Sequence, residues 1–263
     1  MTDPDIDLTA QNDEIRSLRN IAAVYHSNEL AGVNEQYHNY LRDSLIPTEH
    51  GGSALELGCG KGLWTKVLSE RYGELDIVDI SPELIEITLK KCNKESCHIT
   101  PYVMPIEHFL KNVGQKNKYQ HIYMTFILEH LEFPVETLKA VGQLLSKEGS
   151  LFIAVPNANS VHRVIAYRAG IIGAVDELSE NDRIVGHRRV YTRDLLIKQV
   201  TQAGFEVVDE DGIGFKPLNL KQLEGLSSEV ISGFCASGDL VRNYEAYITI
   251  RAVPSNRMSD CCK

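Results

Sequence analysis

The sequence predicts an α/β fold built on a mostly parallel sheet. Three observations carry that reading. An apolar run, Ala54-Leu55-Glu56-Leu57, breaks into Gly58-Cys59-Gly60-Lys61-Gly62 and is followed by a helical pattern from Leu63 to Tyr72. A second short apolar run, Leu75-Asp76-Ile77-Val78-Asp79, ends in an acid. Strand and helix patterns then alternate as far as Val155. Glycine lets a chain turn sharply and lets a ligand approach without meeting a Cβ. A strand that breaks into such a turn and enters a helix is a nucleotide-binding device. The spacing is G-x-G-x-G, not the G-x-G-x-x-G of dinucleotide folds, and no Lys-Ser/Thr pair follows to make a phosphate loop. A carboxylate such as Asp79, at the tip of the neighbouring strand, is placed to accept hydrogen bonds from ribose hydroxyls.

In chain order, residues 1 to about 12 are polar, and the pattern from Glu14 to Ile46 is helical until Pro47 closes it. Residues 1–50 read as an N-terminal helical lid in which Tyr25, His26, Tyr37 and His38 are able to reach a ligand. Residues 51–263 form the main domain. Its first strand is Ala54–Leu57 and its second Glu74–Asp79. Ser81-Pro82-Glu83 supplies an N-cap, a first-turn proline and an acid for a helix running to Lys91. A third strand is expected over His98–Met104 and a fourth over Tyr119–Phe126. A helix over Pro134–Leu145 and a fifth strand over Ser150–Val155 follow.

There the alternation stops. Pro156 to Val190 is longer than an ordinary crossover loop, and cap insertions are expected at about 157–190 and 212–243. Between them, Thr192 caps a helix that Gly204 stops, and Phe205–Asp209 reads as the sixth strand. The second insertion carries an amphipathic helix near Leu226–Phe234, and Tyr244–Arg251 reads as the seventh strand.

Composition narrows the partners. The formal net charge of −9 argues against a nucleic acid, whose binding rests on a basic face. Cys59, Cys92, Cys97, Cys235, Cys261 and Cys262 form no paired C-x-x-C set, so no zinc site is expected. No leader or membrane-spanning run is read after the acidic start, which makes a reduced, cytoplasmic setting the expectation.

The glycine turn from Glu56 to Gly62, followed by Asp79-Ile80-Ser81-Pro82, resembles motifs I and II of the class I S-adenosylmethionine methyltransferases. Phe126-Ile127-Leu128-Glu129-His130-Leu131-Glu132-Phe133-Pro134 is similar to the stretch after the fourth strand in the branch that includes the ubiquinone-biosynthesis O-methyltransferases. Gly149 to Asn157 resembles that branch's fifth strand. The likeness covers Ala54 to Asn157 firmly and Gly186 to Phe205 loosely. It implies a Rossmann-like, seven-stranded, mostly parallel sheet with helices on both faces. The last strand would be antiparallel, and the N-terminal helices and the two insertions would cover the site.

The resemblance also implies S-adenosylmethionine as cofactor, with S-adenosylhomocysteine as product. Its pocket would draw on Glu56, Gly58, Cys59, Gly60, Asp79, Ile80, Ile106, Glu107 and Phe126. Many relatives carry an Asp just after the third strand to hold adenine. Pro105 stands there, so the contact falls to backbone and Ile106 packs on the adenine face. Methyl transfer asks the protein for position and a dry pocket, and an oxygen or nitrogen nucleophile also asks for a base. His130 and His187 are the candidate catalytic bases. Tyr25, Tyr37, Asn157, Arg163, Arg188 and Arg189 are the candidate substrate residues. The arginines suit a carboxylate or phosphate on the substrate, or else pair with Asp176, Glu177, Glu180 and Asp182 in the same segment.

The reading is methyl transfer to a small molecule, on an oxygen of an anionic or polar metabolite, with a homodimer possible. Rivals are N- or C-methylation of an amino acid, peptide or sugar, and a non-catalytic S-adenosylmethionine-binding regulator. Met124-Thr125-Phe126-Ile127 does not match the N/D-P-P-Y/F motif of nucleic-acid and protein-side-chain enzymes. No Asp-Asp-Asn set follows the fourth strand, so no metal is expected.

Overall fold

A computed structural model describes residues 32–46, 51–92 and 97–255. Tyr25 and His26, the N-terminal helical pattern before residue 32, Pro47 and the Cys261-Cys262 pair lie outside the described residues. The chain runs α1 (Val33–Leu45), β1 (Ser53–Leu57), α2 (Leu63–Leu68), β2 (Glu74–Asp79), α3 (Pro82–Lys91), β3 (His98–Val103), α4 (Ile106–Asn112), β4 (Tyr119–Thr125), α5 (Pro134–Leu144) and β5 (Leu145–Pro156). It continues with α6 (Val161–Arg168), α7 (Glu180–Ile184), α8 (Arg193–Gln202), β6 (Phe205–Ile213), α9 (Leu220–Leu223), α10 (Ser228–Ala236), a 3₁₀ turn (Gly238–Val241) and β7 (Tyr247–Pro254).

The seven strands form one sheet in the order β3-β2-β1-β4-β5-β7-β6. The pairs β1–β2, β1–β4, β2–β3 and β4–β5 are parallel, and β7 runs antiparallel to both β5 and β6. This is the expected Rossmann-like sheet. The chain leaves β1 toward β2 and β3 on one side and reaches β4 and β5 on the other. The carboxyl ends of β1 and β4 therefore flank the topological switch point, where open α/β sheets bind ligands.

The inner strands β1, β4, β5 and β7, with β2, are largely apolar because both faces are covered, whereas the edge strands β3 and β6 are mostly open to solvent. Leu55, Leu57, Ile122 and Met124 face a core shared with Phe109, Leu138, Val141, Leu196 and Val200 of α4, α5 and α8. Ala54, Tyr123 and Phe152 face the other way, against Trp64, Leu68, Tyr37, Leu41 and Ile231 of α2, α1 and α10. Helix starts follow the sequence. The Ser81 hydroxyl accepts from the Leu84 N–H ahead of Pro82, and the Thr192 hydroxyl accepts from the Leu195 N–H.

Several boundaries differ from the sequence reading: β5 begins at Leu145, five residues before Ser150, and α2 ends at Leu68, four before Tyr72. β6 continues to Ile213, four residues past Asp209, because β7 pairs with it along that whole length. β7 begins at Tyr247 and not Tyr244, since Asn243 turns with φ +74° and the Tyr244 N–H closes a turn on Val241. β4 stops at Thr125, where Phe126 takes φ +56°. The first insertion is not a plain loop, since it holds α6 and α7. Among the described residues no helix is long and apolar enough to cross a membrane.

Candidate functional site

The glycine turn sits at the end of β1, and each glycine has a separate reason. Gly58, Gly60 and Gly62 all have positive φ, at +83°, +50° and +76°. A Cβ on Gly58 would meet Ile127 Cδ1 at 2.9 Å, so the turn is packed against the segment after β4. A Cβ on Gly62 would meet the Thr88 backbone at 2.9 Å, so this glycine lets α2 pass close to α3. A Cβ on Gly60 would meet nothing within 4 Å. Gly60 alone leaves open space where a ligand can lie against the backbone.

Asp79 closes the turn from β2. Its Oδ2 accepts the Gly60 N–H at 3.0 Å and its Oδ1 accepts the Ser81 N–H at 3.0 Å. Each oxygen keeps lone-pair capacity for a further donor. Burial raises the Asp79 carboxyl, and the Ser81, Gly60 and Ile80 N–H groups pull it back down. Cys59 lies alongside, its Sγ 3.9 Å from Asp79 Oδ2, and burial together with Asp79 and Glu56 keeps it a thiol.

Glu56 points to the α2 face. Its Oε2 accepts from the Thr65 hydroxyl at 2.6 Å, while its buried Oε1 has no partner among the described residues. Burial pushes this carboxyl up to about 8, against the pull of Thr65. After β3, Ile106 is buried with Leu57 and Val78 at the start of α4. Glu107 is exposed and lines a groove between α4 and α5 with Leu110 and Phe133.

Beyond β4 the chain builds two groups. In the first, Phe126 stacks on His38 of α1, with ring centroids 4.3 Å apart, and Tyr247 of β7 meets both rings edge-on at 5.2 and 5.6 Å. The second is buried Glu129 with His130 and His187. Ligand atoms of these three lie within 4.8 Å of one another, a spacing that a divalent cation could bridge. Neither Glu129 oxygen has a hydrogen-bond partner among the described residues, and burial pushes its carboxyl up to about 7. His130 Nδ1 lies 3.2 Å from the Gly186 carbonyl, and His187 Nδ1 lies 2.9 Å from Asp182 Oδ1. Burial, then His187, pushes His130 down to about 3. The structure thus brings together the two histidines that sequence spacing set far apart.

The remaining candidates are engaged inside the protein. The buried Asn157 amide donates to the Glu245 carbonyl at 2.9 Å and accepts from the Asn159 N–H, fastening β5 to the approach of β7. Arg163 bonds the Val175 and Glu177 carbonyls and lies 3.3 Å from Asp182. Arg188 pairs with Glu132 at 3.4 Å. Arg189 caps the Leu128, Leu131 and Glu132 carbonyls. Pairing within the segment describes Arg163 alone, through Asp182; Arg188 and Arg189 bond the stretch after β4 instead. Tyr37 is buried, and its hydroxyl donates to the Phe215 carbonyl, tying α1 to the second insertion. Sequence reasoning set Glu129 beside His130 in the floor of the site without giving it a role, and passed over Lys216 altogether. Glu129 carried a signal, since it stands inside the matched stretch. Lys216 had none, being a lone lysine in an insertion without a motif.

Fold and site together define a class: an α/β domain with an open glycine turn clamped to a strand-tip acid at the switch point of its sheet. Comparison with known proteins gives the same class. Residues 32–210 match the family model described as Methyltransferase domain, and the chain belongs to that family. Ubiquinone biosynthesis O-methyltransferase of Xanthomonas campestris pv. campestris (strain B100) is 23% identical over 124 residues, 47% of this chain and 49% of that protein. The protein of the same name from Xanthomonas axonopodis pv. citri (strain 306) is 21% identical over 189 residues, 72% of this chain and 76% of that one. The match thus spans about half the length of the first of these relatives.

Among solved structures, an S-adenosylmethionine-dependent methyltransferase from Mesorhizobium loti superposes with a TM-score of 0.58 at 13% identity, covering 84% of this chain and 99% of that one. The N-methyltransferase NodS of Bradyrhizobium japonicum WM9, in complex with S-adenosylhomocysteine, gives 0.53 at 18% identity, covering 91% and 97%. The fold is that of the S-adenosylmethionine-dependent methyltransferases.

Proposed function

We propose that this chain transfers the methyl group of S-adenosylmethionine to an oxygen of a small polar molecule. The observation that carries the reading is the open Gly60 backbone clamped to Asp79 at the switch point of the sheet. The residues present suit the cofactor. Asp79 retains acceptor capacity for ribose hydroxyls, Gly60 leaves room, and Glu56 offers an unpaired oxygen. Cys59 and Ile80 flank that clamp, Ile106 and Glu107 follow β3, and Phe126 walls the far end. When bound, the cofactor supplies an electrophilic methyl on a sulfonium.

The protein's share is orientation and exclusion of water, for which intramolecular models allow roughly 7–11 kcal/mol. Among its own groups, His130 is neutral at pH 7, and Asp182 orients His187 by a hydrogen bond to Nδ1. We place proton handling on this pair with Glu129 beside it. Oxygen as the acceptor is favoured by the ubiquinone-branch relatives over nitrogen or carbon.

The test is incubation of the intact protein with methyl-labelled S-adenosylmethionine and fractionated metabolites, with the product atom read by mass spectrometry and NMR. Label on oxygen is the expected result, and label on nitrogen or carbon, or no transfer, contradicts it. Repeating the assay after chelation, with and without added divalent cation, separates proton handling by Glu129, His130 and His187 from cation binding there.

A further inference from the structure

Lys216 stands out because the fold fixes it and gives its charge no carboxylate partner among the described residues. It lies between β6 and α9. Its carbonyl accepts the His162 N–H at 3.1 Å, and the preceding Phe215 is pinned by the Phe234 carbonyl and the Tyr37 hydroxyl. Its Nζ lies over the Tyr247 ring, 5.7 Å from the centroid. That ring contacts Phe126 and His38. Phe126 directly follows β4, and the next residue, Ile127, packs on Gly58. A continuous run of contacts therefore joins the Lys216 ammonium to the glycine turn.

The groups around it are His38 from α1, His162 and Arg163 from α6, Asp182 from α7 and Tyr247 from β7. Asp182, the one acid among them, is already taken by Arg163, His187 and Ser179. Among the described residues no carboxylate lies within ion-pair distance of Lys216 Nζ. Burial pushes the ammonium down to about 8, with Arg163 adding to the effect. It also pushes His38 down to about 4 and His162 to about 2, so both rings are neutral and add no charge at pH 7. A partly buried cation facing two neutral imidazoles and an aromatic wall is a receptor short of its anion.

We propose that Lys216 binds a carboxylate of the methyl acceptor, so that the substrates of this protein are small acids anchored at the second insertion. The inference rests on the methyltransferase reading of the site. The same ammonium would also suit the α-carboxylate of the cofactor, and the experiment tells the two sources apart.

Calorimetry is run on the intact protein saturated with S-adenosylhomocysteine, using acetate and benzoate as probes against their neutral amides, acetamide and benzamide. The wild type is expected to bind at least one carboxylate about 10-fold or more tightly than its amide. Lys216→Met should abolish that preference, Lys216→Arg should retain it, and S-adenosylhomocysteine affinity should stay the same in all three. The comparison of acid with amide on the wild type needs no variant, so a folding defect in Lys216→Met leaves the proposal testable.

Equal binding of acids and amides, binding of neither, or a preference that survives Lys216→Met overturns the inference. A fall in S-adenosylhomocysteine affinity in Lys216→Met, with no carboxylate bound by the wild type, assigns the ammonium to the cofactor and also overturns it. Wild-type protein that binds no S-adenosylhomocysteine fails the methyltransferase reading itself and takes this inference with it.

Discussion

Gly60 and Gly62 share a left-handed backbone and serve different ends. Any Cβ in that region costs roughly 1–2 kcal/mol. At Gly62 it also collides with the Thr88 backbone, and overpacking adds about 1–3 kcal/mol. Gly62→Ala should therefore lower the melting temperature clearly more than Gly60→Ala. Gly60→Ala should weaken S-adenosylhomocysteine binding with the smaller loss of stability. Melting curves and calorimetry on the two variants check both halves.

Glu56 makes a pH prediction. Its carboxyl is raised from 4.5 to about 8 in the folded protein. Below the unfolded value both states hold the proton and the group costs nothing. As pH rises toward 8 the unfolded chain ionises first, so the stability this group contributes is lost. Glu56→Gln has no such loss, and its melting temperature should gain on the wild type between about pH 5 and pH 8. A constant gap across that range would contradict the burial argument.

The residues of this site divide into those that sequence could show and those it could not. Gly58, Gly60 and Asp79 announce themselves because local spacing makes the turn and its clamp. His130 and His187 carry chemistry, but their approach to ring centroids 4.8 Å apart is made by the tertiary fold. The arginines looked like an anion site because composition counts charges and does not show that Arg163 ends on carbonyls and an acid of its own segment, or that Arg188 and Arg189 reach back to the stretch after β4.

At the scale of elements, the sheet was legible and its covers were not. Strands β1, β2 and β4 and the body of β5 read through because buried parallel strands must be apolar on both faces. The start of β7 was misplaced because Tyr244 is as strand-like as Tyr247, and only the turn at Asn243 decides between them. The first insertion read as irregular because α6 and α7 are short and lack a long apolar period. The helix α1 and the second insertion are joined by a contact between distant segments, the Tyr37 hydroxyl on the Phe215 carbonyl. Tyr37→Phe leaves a buried acceptor without its donor and should cost about 1–3 kcal/mol. Limited proteolysis should then cut first within the second insertion. Unchanged stability and cleavage would mean that α1 and this insertion are held by apolar packing alone.

At the scale of the whole molecule, the glycine turn with Asp79, the Glu129-His130-His187 group and Lys216 follow the carboxyl ends of strands of one sheet, and the proposed function uses them as nucleoside grip, proton handler and anion anchor. A ligand bound only by the folded form stabilises it by mass action, about 2.7 kcal/mol at a hundred times its Kd. For a chain of this size that is several degrees of melting temperature.

The central claim is that Gly60 and Asp79 grip S-adenosylmethionine. Calorimetric titration of S-adenosylhomocysteine into the wild type and Asp79→Asn tests it most directly. The account predicts one site per chain. Asp79→Asn keeps the shape of the clamp and loses its charge, so affinity should fall about 10-fold or more. No binding by the wild type, or equal affinity in the two proteins, would contradict it.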